Sequence, residues 1–148
     1  DKYRIKAAKK FGADYVIDAK GNVPELVKKY NDKRLADLVI LCAGVIPAVK
    51  QALESVEPGG TILWFALPKP GEDFPIPLFD LWNKQIKMIS TYAGVKKDII
   101  EAIELIRAKK VIVKDMISHK LPMKDTPKAF KLTAVAKESI KIIIEPQK

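Results

Sequence analysis

The run Leu38-Val39-Ile40-Leu41 limits the possible folds more than any other part of the chain. Four successive aliphatic residues without polar alternation describe a strand covered on both faces, as a strand inside a parallel sheet is. Parallel strands need crossover segments, normally helices, and the neighbouring sequence provides them. Asn22 can N-cap a helix that has Pro24 in its first turn and turns Leu26, Val27 and Tyr30 inward. Beyond Ala43-Gly44 a helix is predicted from about Pro47 to Ser55, and Glu57-Pro58-Gly59-Gly60 then turns the chain into a strand, Thr61-Ile62-Leu63-Trp64-Phe65. Upstream, Ile5, Ala7, Ala8 and Phe11 form one helical stripe closed by Gly12 at a left-handed C-cap, and the short β-branched run Tyr15-Val16-Ile17 follows as a strand. Helix and strand thus alternate for three rounds, which predicts a doubly wound α/β sheet.

The remainder continues the alternation. Residues 68–77 hold Pro68, Pro70, Pro75 and Pro77, so this stretch is a loop pinned in extended conformation. A helical turn over Asp80 to Asn83 precedes a strand from Ile86 to Tyr92. From Lys97 to Lys109 the residues Ile99, Ile100, Ile103, Leu105 and Ile106 recur at helical spacing, with Asp98 and Lys109-Lys110 placed to complement the helix dipole. A strand (Met116 to Leu121), a helix (about Lys124 to Thr133) and a last strand (Ser139 to Glu145) complete the chain.

Composition narrows the chemistry. The chain has 148 residues, 48% of them apolar, which suits one globular domain able to bury about two-thirds of its unfolded surface. Cys42 is the single cysteine, so no intrachain disulfide forms and a reduced, cytoplasmic setting is expected. With Cys42 and His119 as the only soft ligands, no four-cysteine or Cys2His2 zinc site can be assembled from this chain, and no metal ligand is expected in it. The first ten residues are not a signal peptide, and no apolar run reaches the roughly 18 residues of a membrane span, so no membrane partner is expected.

The net charge of +9 is uneven: residues 1–83 hold 12 basic and 11 acidic side chains, residues 84–148 hold 15 and 7. The lysines of the second part alternate with apolar residues and lack interleaved stacking aromatics, so they read as a solvated surface and not as a nucleic-acid face. Trp64, Trp82 and Tyr92 read as core or interface residues for the same reason.

A doubly wound nucleotide-binding sheet ordinarily opens with a strand, a glycine-rich turn and a helix, because that turn brings backbone N–H groups to the phosphates. This sequence opens inside a helix, and the expectation is that such a unit lies upstream of Asp1.

Several segments, in this order and spacing, resemble the C-terminal part of the medium-chain dehydrogenase/reductase family, the zinc-type alcohol, polyol and threonine dehydrogenases. They are Tyr3-Arg4 leading into Ala7-Ala8-Lys9-Lys10-Phe11-Gly12-Ala13-Asp14, then Ala36 to Gly44, then Leu53 and Val56 with Pro58-Gly59-Gly60-Thr61. Ser118-His119-Lys120-Leu121-Pro122-Met123, Lys128-Ala129-Phe130 and Ser139 to Ile144 continue the likeness. The resemblance implies an incomplete Rossmann sheet over residues 1–113, and over residues 114–148 the segment that returns to a GroES-like catalytic domain. It also implies NAD or NADP as cofactor, and zinc in the full-length protein on ligands outside this chain.

By the family pattern, Cys42, Ala43 and Gly44 lie along the adenosine side of the cofactor, and Phe65, Ala66 and Leu67 pass its nicotinamide ring. Thr91, within Ser90-Thr91-Tyr92, lies where the backbone holds the carboxamide, and Lys141 reaches the diphosphate. Each also has a plainer reading, as a packed strand end or a surface lysine, with Cys42 a small buried residue and not a reactive thiol. His119 reads as a structural hydrogen-bonding residue. Asp1 stands closer to Arg4 than the family's ribose-binding acid does, so NAD and NADP stay open.

The expected function is hydride transfer between an alcohol or polyol and NAD(P) by the full-length enzyme, the chain alone being inactive. A zinc-free quinone-reductase-like protein or a non-catalytic nucleotide-binding module is the alternative. A homodimer or homotetramer through strand 86–92 is also implied, since an apolar edge strand needs a cover.

Overall fold

The computed structural model describes residues 2–147. In chain order its elements are α1 (Lys2–Lys10), α2 (Val23–Tyr30), β1 (Ala36–Leu41), α3 (Ile46–Ser55), β2 (Val56–Trp64), α4 (Leu78–Asn83) and β3 (Lys87–Ser90). They continue with α5 (Lys96–Arg107), β4 (Ile117–Pro122), α6 (Thr126–Val135) and β5 (Lys141–Glu145). Single 3-10 turns precede β4 at Lys114–Met116 and α6 at Met123–Asp125. No helix among the described residues is long and apolar enough to cross a membrane. The chain packs as two compact units, residues 17–93 and residues 1–16 with 94–148.

The first unit is the α/β sheet. β1, β2 and β3 are parallel, with β2 in the middle and helical crossovers between them. Asn22 caps α2 as expected, its side-chain oxygen accepting from the Glu25 N–H at 3.3 Å. The core gathers on the face that α3 covers: Leu41, Val49, Ala52, Val56 and Ile62 are buried, Ile62 completely. Val39, Trp64, Phe74 and Ile86 pack around them.

Glu57 to Gly60 form the expected turn, but as a bulge inside β2. The register jumps from Ala36 opposite Val56 to Leu38 opposite Thr61, so three extra residues are accommodated there. Gly59 takes φ +78°, and a Cβ on Gly60 would stand 2.7 Å from the Glu57 carbonyl oxygen. The Glu57 carboxylate holds the amino end of the sheet by accepting from the Leu35 N–H, and Arg34 bridges to Asp37 at 2.7 Å.

Several expectations are corrected here. β1 is covered on one face only: Val39 and Leu41 face α3, while Leu38 and Ile40 are 55% and 51% exposed. The alternation absent from the sequence reappears in burial, because β1 has one strand neighbour and helix cover on one side. Leu26 and Val27 are half-buried, but Tyr30 is exposed. Tyr15 to Ile17 form no strand, since β-branched residues make a ladder only where a neighbouring strand supplies hydrogen bonds. The strand read as Ile86 to Tyr92 is shorter, Lys87–Ser90, and Trp82 and Tyr92 are exposed, which removes the core half of their core-or-interface reading.

The second unit joins α1, α5, β4, α6 and β5. β4 and β5 form a parallel pair, and α6 crosses between them. Gly12 ends α1 at φ +100°, as the sequence predicts. Ser118 sits in a bulge of β4, between Ile117 opposite Lys141 and His119 opposite Ile142. Its hydroxyl donates to the Lys141 carbonyl at 3.0 Å and accepts from the Ile140 N–H at 3.1 Å, so it replaces ladder bonds that the bulge interrupts. The Arg4 guanidinium donates to the carbonyls of Ala136 and Ser139, at the end of α6.

α6 begins two residues later than expected, after its 3-10 turn, and ends at a left-handed Ala136. α5 covers nearly the expected span, yet none of its residues is buried and its isoleucine stripe faces outward.

Candidate functional site

Parallel α/β sheets place ligands beyond the carboxyl ends of their strands. In the unit 17–93, Cys42-Ala43-Gly44 follows β1, Phe65-Ala66-Leu67 follows β2, and Thr91 follows β3. Because the strands are adjacent and parallel, all seven residues come to the same end of the sheet. Hydrogen bonds lace them sideways: the N–H groups of Phe65 and Ala66 donate to the Leu41 carbonyl at 3.2 and 2.8 Å, and the Thr91 N–H donates to the Trp64 carbonyl at 3.3 Å. The Val45 N–H donates to the Ala43 carbonyl at 3.0 Å, tightening the passage from β1 into α3.

Gly44 decides how closely these loops approach. A Cβ built on it would overlap the Leu67 carbonyl, so only glycine lets the turn after β1 lie against the turn after β2. The glycine expected to admit a ligand is used to bring two loops together.

The resulting ledge is open and apolar. Phe65 is 64% exposed and Leu67 62%. Cys42 is exposed and not buried as the plainer reading had it, because β1 ends before it and the chain there is already on the rim. Exposed apolar side chains, one of them aromatic, suit contact with a planar ring. None of the seven residues is cationic.

Lys141 lies in the other unit, at the first position of β5 opposite Ile117, and its side chain is exposed. His119 Nδ1 lies 3.1 Å from Ser118 Oγ, the structural bond expected of it. Asp1 lies outside the described residues. Among the described residues no group of three His, Cys, Asp or Glu side chains could hold a metal, so the residues present do not fit a zinc centre.

A groove of about 360 Å³ borders the ledge at Leu67, lined by Val49, Trp64, Pro68, Pro70 and Phe74 among others. Four prolines in ten residues were its only trace in the sequence.

The chain is 29% identical to D-xylulose reductase of Saccharomyces cerevisiae, the match covering 96% of this chain and 41% of the relative. It is also 29% identical to sorbitol dehydrogenase of Halalkalibacterium halodurans, over 99% of this chain and 42% of that protein. The chain thus spans about two fifths of the length of these relatives. Alcohol dehydrogenase TADH from Thermus sp. ATN1 superimposes with a TM-score of 0.86 at 23% identity, over 99% of this chain and 42% of that one. A candidate zinc-binding dehydrogenase of Sinorhizobium meliloti 1021, solved with NADP bound, gives 0.87 at 23% identity, over 99% and 43%. At such identities the structural likeness shows the α/β fold. Residues 1–108 match the zinc-binding dehydrogenase family, and with nearly three quarters of its length inside that match the chain belongs to that family.

Proposed function

We propose that the chain is the cofactor-binding, C-terminal part of a nicotinamide-dependent, zinc-type dehydrogenase that moves a hydride between an alcohol or polyol carbon and NAD or NADP. The observation that carries the reading is the convergence of three strand-end turns on one open apolar ledge. The names of the relatives, a xylulose reductase and sorbitol dehydrogenases, and the NADP held by one structural neighbour support it.

Cys42, Ala43 and Gly44 would border the adenosine, with Phe65, Ala66 and Leu67 beside the nicotinamide. The backbone at Thr91 would hold the carboxamide, and Lys141 would supply a cation for the diphosphate. When bound, the nicotinamide accepts or gives the hydride. Phe65 and Leu67 would orient the ring and limit water beside it, and Gly44 keeps their loop in place. Zinc polarisation of the alcohol is assigned to no residue of this chain.

In this reading residues 1–113 belong to the nucleotide-binding domain and residues 114–148 to the catalytic domain. The full-length protein works in the cytoplasm on a small alcohol or polyol, with neither nucleic acid nor membrane as partner. A titration of the chain with NAD⁺ and NADP⁺, followed by backbone NMR, is expected to shift Cys42 to Gly44, Phe65 to Leu67 and Thr91 before other residues. Shifts confined to other surfaces would overturn the assignment. Alcohol-dependent NADH or NADPH formation by the chain alone would overturn the division of labour.

β3 is an outer strand of its sheet with Met88 and Ile89 exposed, and the tilted pair Phe79 and Trp82 of α4, ring centroids 5.8 Å apart, is exposed too. We read this edge as the surface through which two copies pair, which would cover an otherwise open apolar strand. Ile89→Lys is then expected to shift the assembly to monomer in light scattering. A wild-type chain that stays monomeric at high concentration would contradict the pairing.

A further inference from the structure

The net charge is not shared between the two units. Residues 17–93 carry nine basic and nine acidic side chains, and residues 1–16 with 94–148 carry eighteen and nine, so the whole excess of +9 lies on the second unit. Two neighbouring depressions occur there.

One is a hollow of about 550 Å³ lined by Phe11, Val111, Ile112 and Met116 together with Lys10 and Lys110. The other is an open cleft of about 390 Å³ lined by Lys10, Lys114, Ser118, His119 and Lys120. Asp115 lines both, and the Lys10–Asp115 ion pair, 3.2 Å long and exposed on both sides, stands where they meet.

The local chain explains the arrangement. Gly12 stops α1 so that Phe11 lies at its end, and Lys109 at φ +56° turns the chain out of α5 into Val111 and Ile112. Two helix C-termini bring partial negative charge, which Lys9, Lys10, Lys109 and Lys110 offset. Phe11, Val111 and Ile112 remain 42%, 47% and 67% exposed, so an apolar wall opens directly onto a cluster of cations. Lys114 has no ion-pair partner among the described residues, and Lys120 lies 3.9 Å from Glu145. An exposed pair such as Lys10–Asp115 contributes little and yields readily to a competing anion.

We propose that the hollow and the cleft form one binding site for an amphiphilic anion, an apolar chain or ring bearing a carboxylate or phosphate head. The body lies against Phe11, Val111, Ile112 and Met116, and the head meets Lys10, Lys114 and Lys120. The site shares no residue with the strand-end ledge, and the proposal does not depend on the dinucleotide reading.

The test is titration of the chain with octanoate, octyl phosphate, octyltrimethylammonium and inorganic phosphate, followed by methyl NMR. Octanoate or octyl phosphate is expected to saturate with shifts at Val111, Ile112 and Met116, whichever is tighter naming the head group. Octyltrimethylammonium and inorganic phosphate should bind at least tenfold more weakly. Lys114→Ala combined with Lys120→Ala should weaken the better ligand about tenfold, and Asp115→Asn should tighten it. Equal binding of the cationic amphiphile would overturn the site, since greasiness alone would then explain it. Equal binding of inorganic phosphate, shifts at other methyl groups, or indifference to the double lysine change would overturn it as well.

Discussion

Gly44→Ala is expected to weaken dinucleotide binding by at least tenfold and to destabilise the chain by about 1–3 kcal/mol, the usual cost of forcing a methyl into filled space. The added Cβ would overlap the Leu67 carbonyl, a backbone atom that no rotamer change can move aside. The turn after β1 and the turn after β2 must then separate, which carries Phe65 and Leu67 with it. Displacements of about 1 Å at such positions can cost a hundredfold in a reaction. Calorimetric titration with NAD⁺ and NADP⁺ and urea unfolding measure the two parts. Gly12→Ala is the matched control: it meets strain at φ +100° but no neighbouring atom within 4 Å, so it should cost stability while leaving dinucleotide affinity unchanged. If Gly44→Ala binds the dinucleotide like the unaltered chain, the ledge is not where the cofactor lies.

Ile62→Ala should cost more stability than any other single truncation in the sheet unit, about 3–5 kcal/mol. Ile62 is the one large side chain described as fully buried, at the middle of the central strand, with buried Leu41, Val49, Ala52 and Val56 in the same cluster. The cavity left behind is walled by a helix and a sheet that cannot collapse into it. A domain's whole stability is about 5–15 kcal/mol, so the loss should be evident in the urea midpoint. Ile62→Val should cost about 0.5–1.5 kcal/mol. Leu38→Ala, on the open face of β1, should fall well below Ile62→Ala even though both residues are large aliphatic side chains within strands. Similar losses at positions 38 and 62 would show that the open face of β1 is covered in solution.

The comparison of Leu38 with Ile62 also shows where the sequence stops being informative. Both lie in largely apolar runs that read as strands, and only the assembled sheet separates them. The turn after β2 is similar. Prolines and the family pattern identify the loop and its neighbours, but not that Gly44 lies against Leu67 or that a groove opens beside it, since those depend on residues more than twenty positions apart.

What the amino-acid sequence determined by itself is local or serial: the caps at Asn22 and Gly12, the turn at Glu57 to Gly60, the order of helices and strands from Asn22 onward, and the family pattern. Caps and turns depend on φ and on hydrogen bonds within a few residues, so a short window holds the whole cause. The tertiary structure alone decided that Tyr15 to Ile17 form no strand, that α5 turns its isoleucines outward, and that Ser118 repairs a bulge. It alone placed the entire excess charge on one unit beside an apolar hollow. Pairing, burial and fields depend on which distant segments meet, and composition does not contain that information.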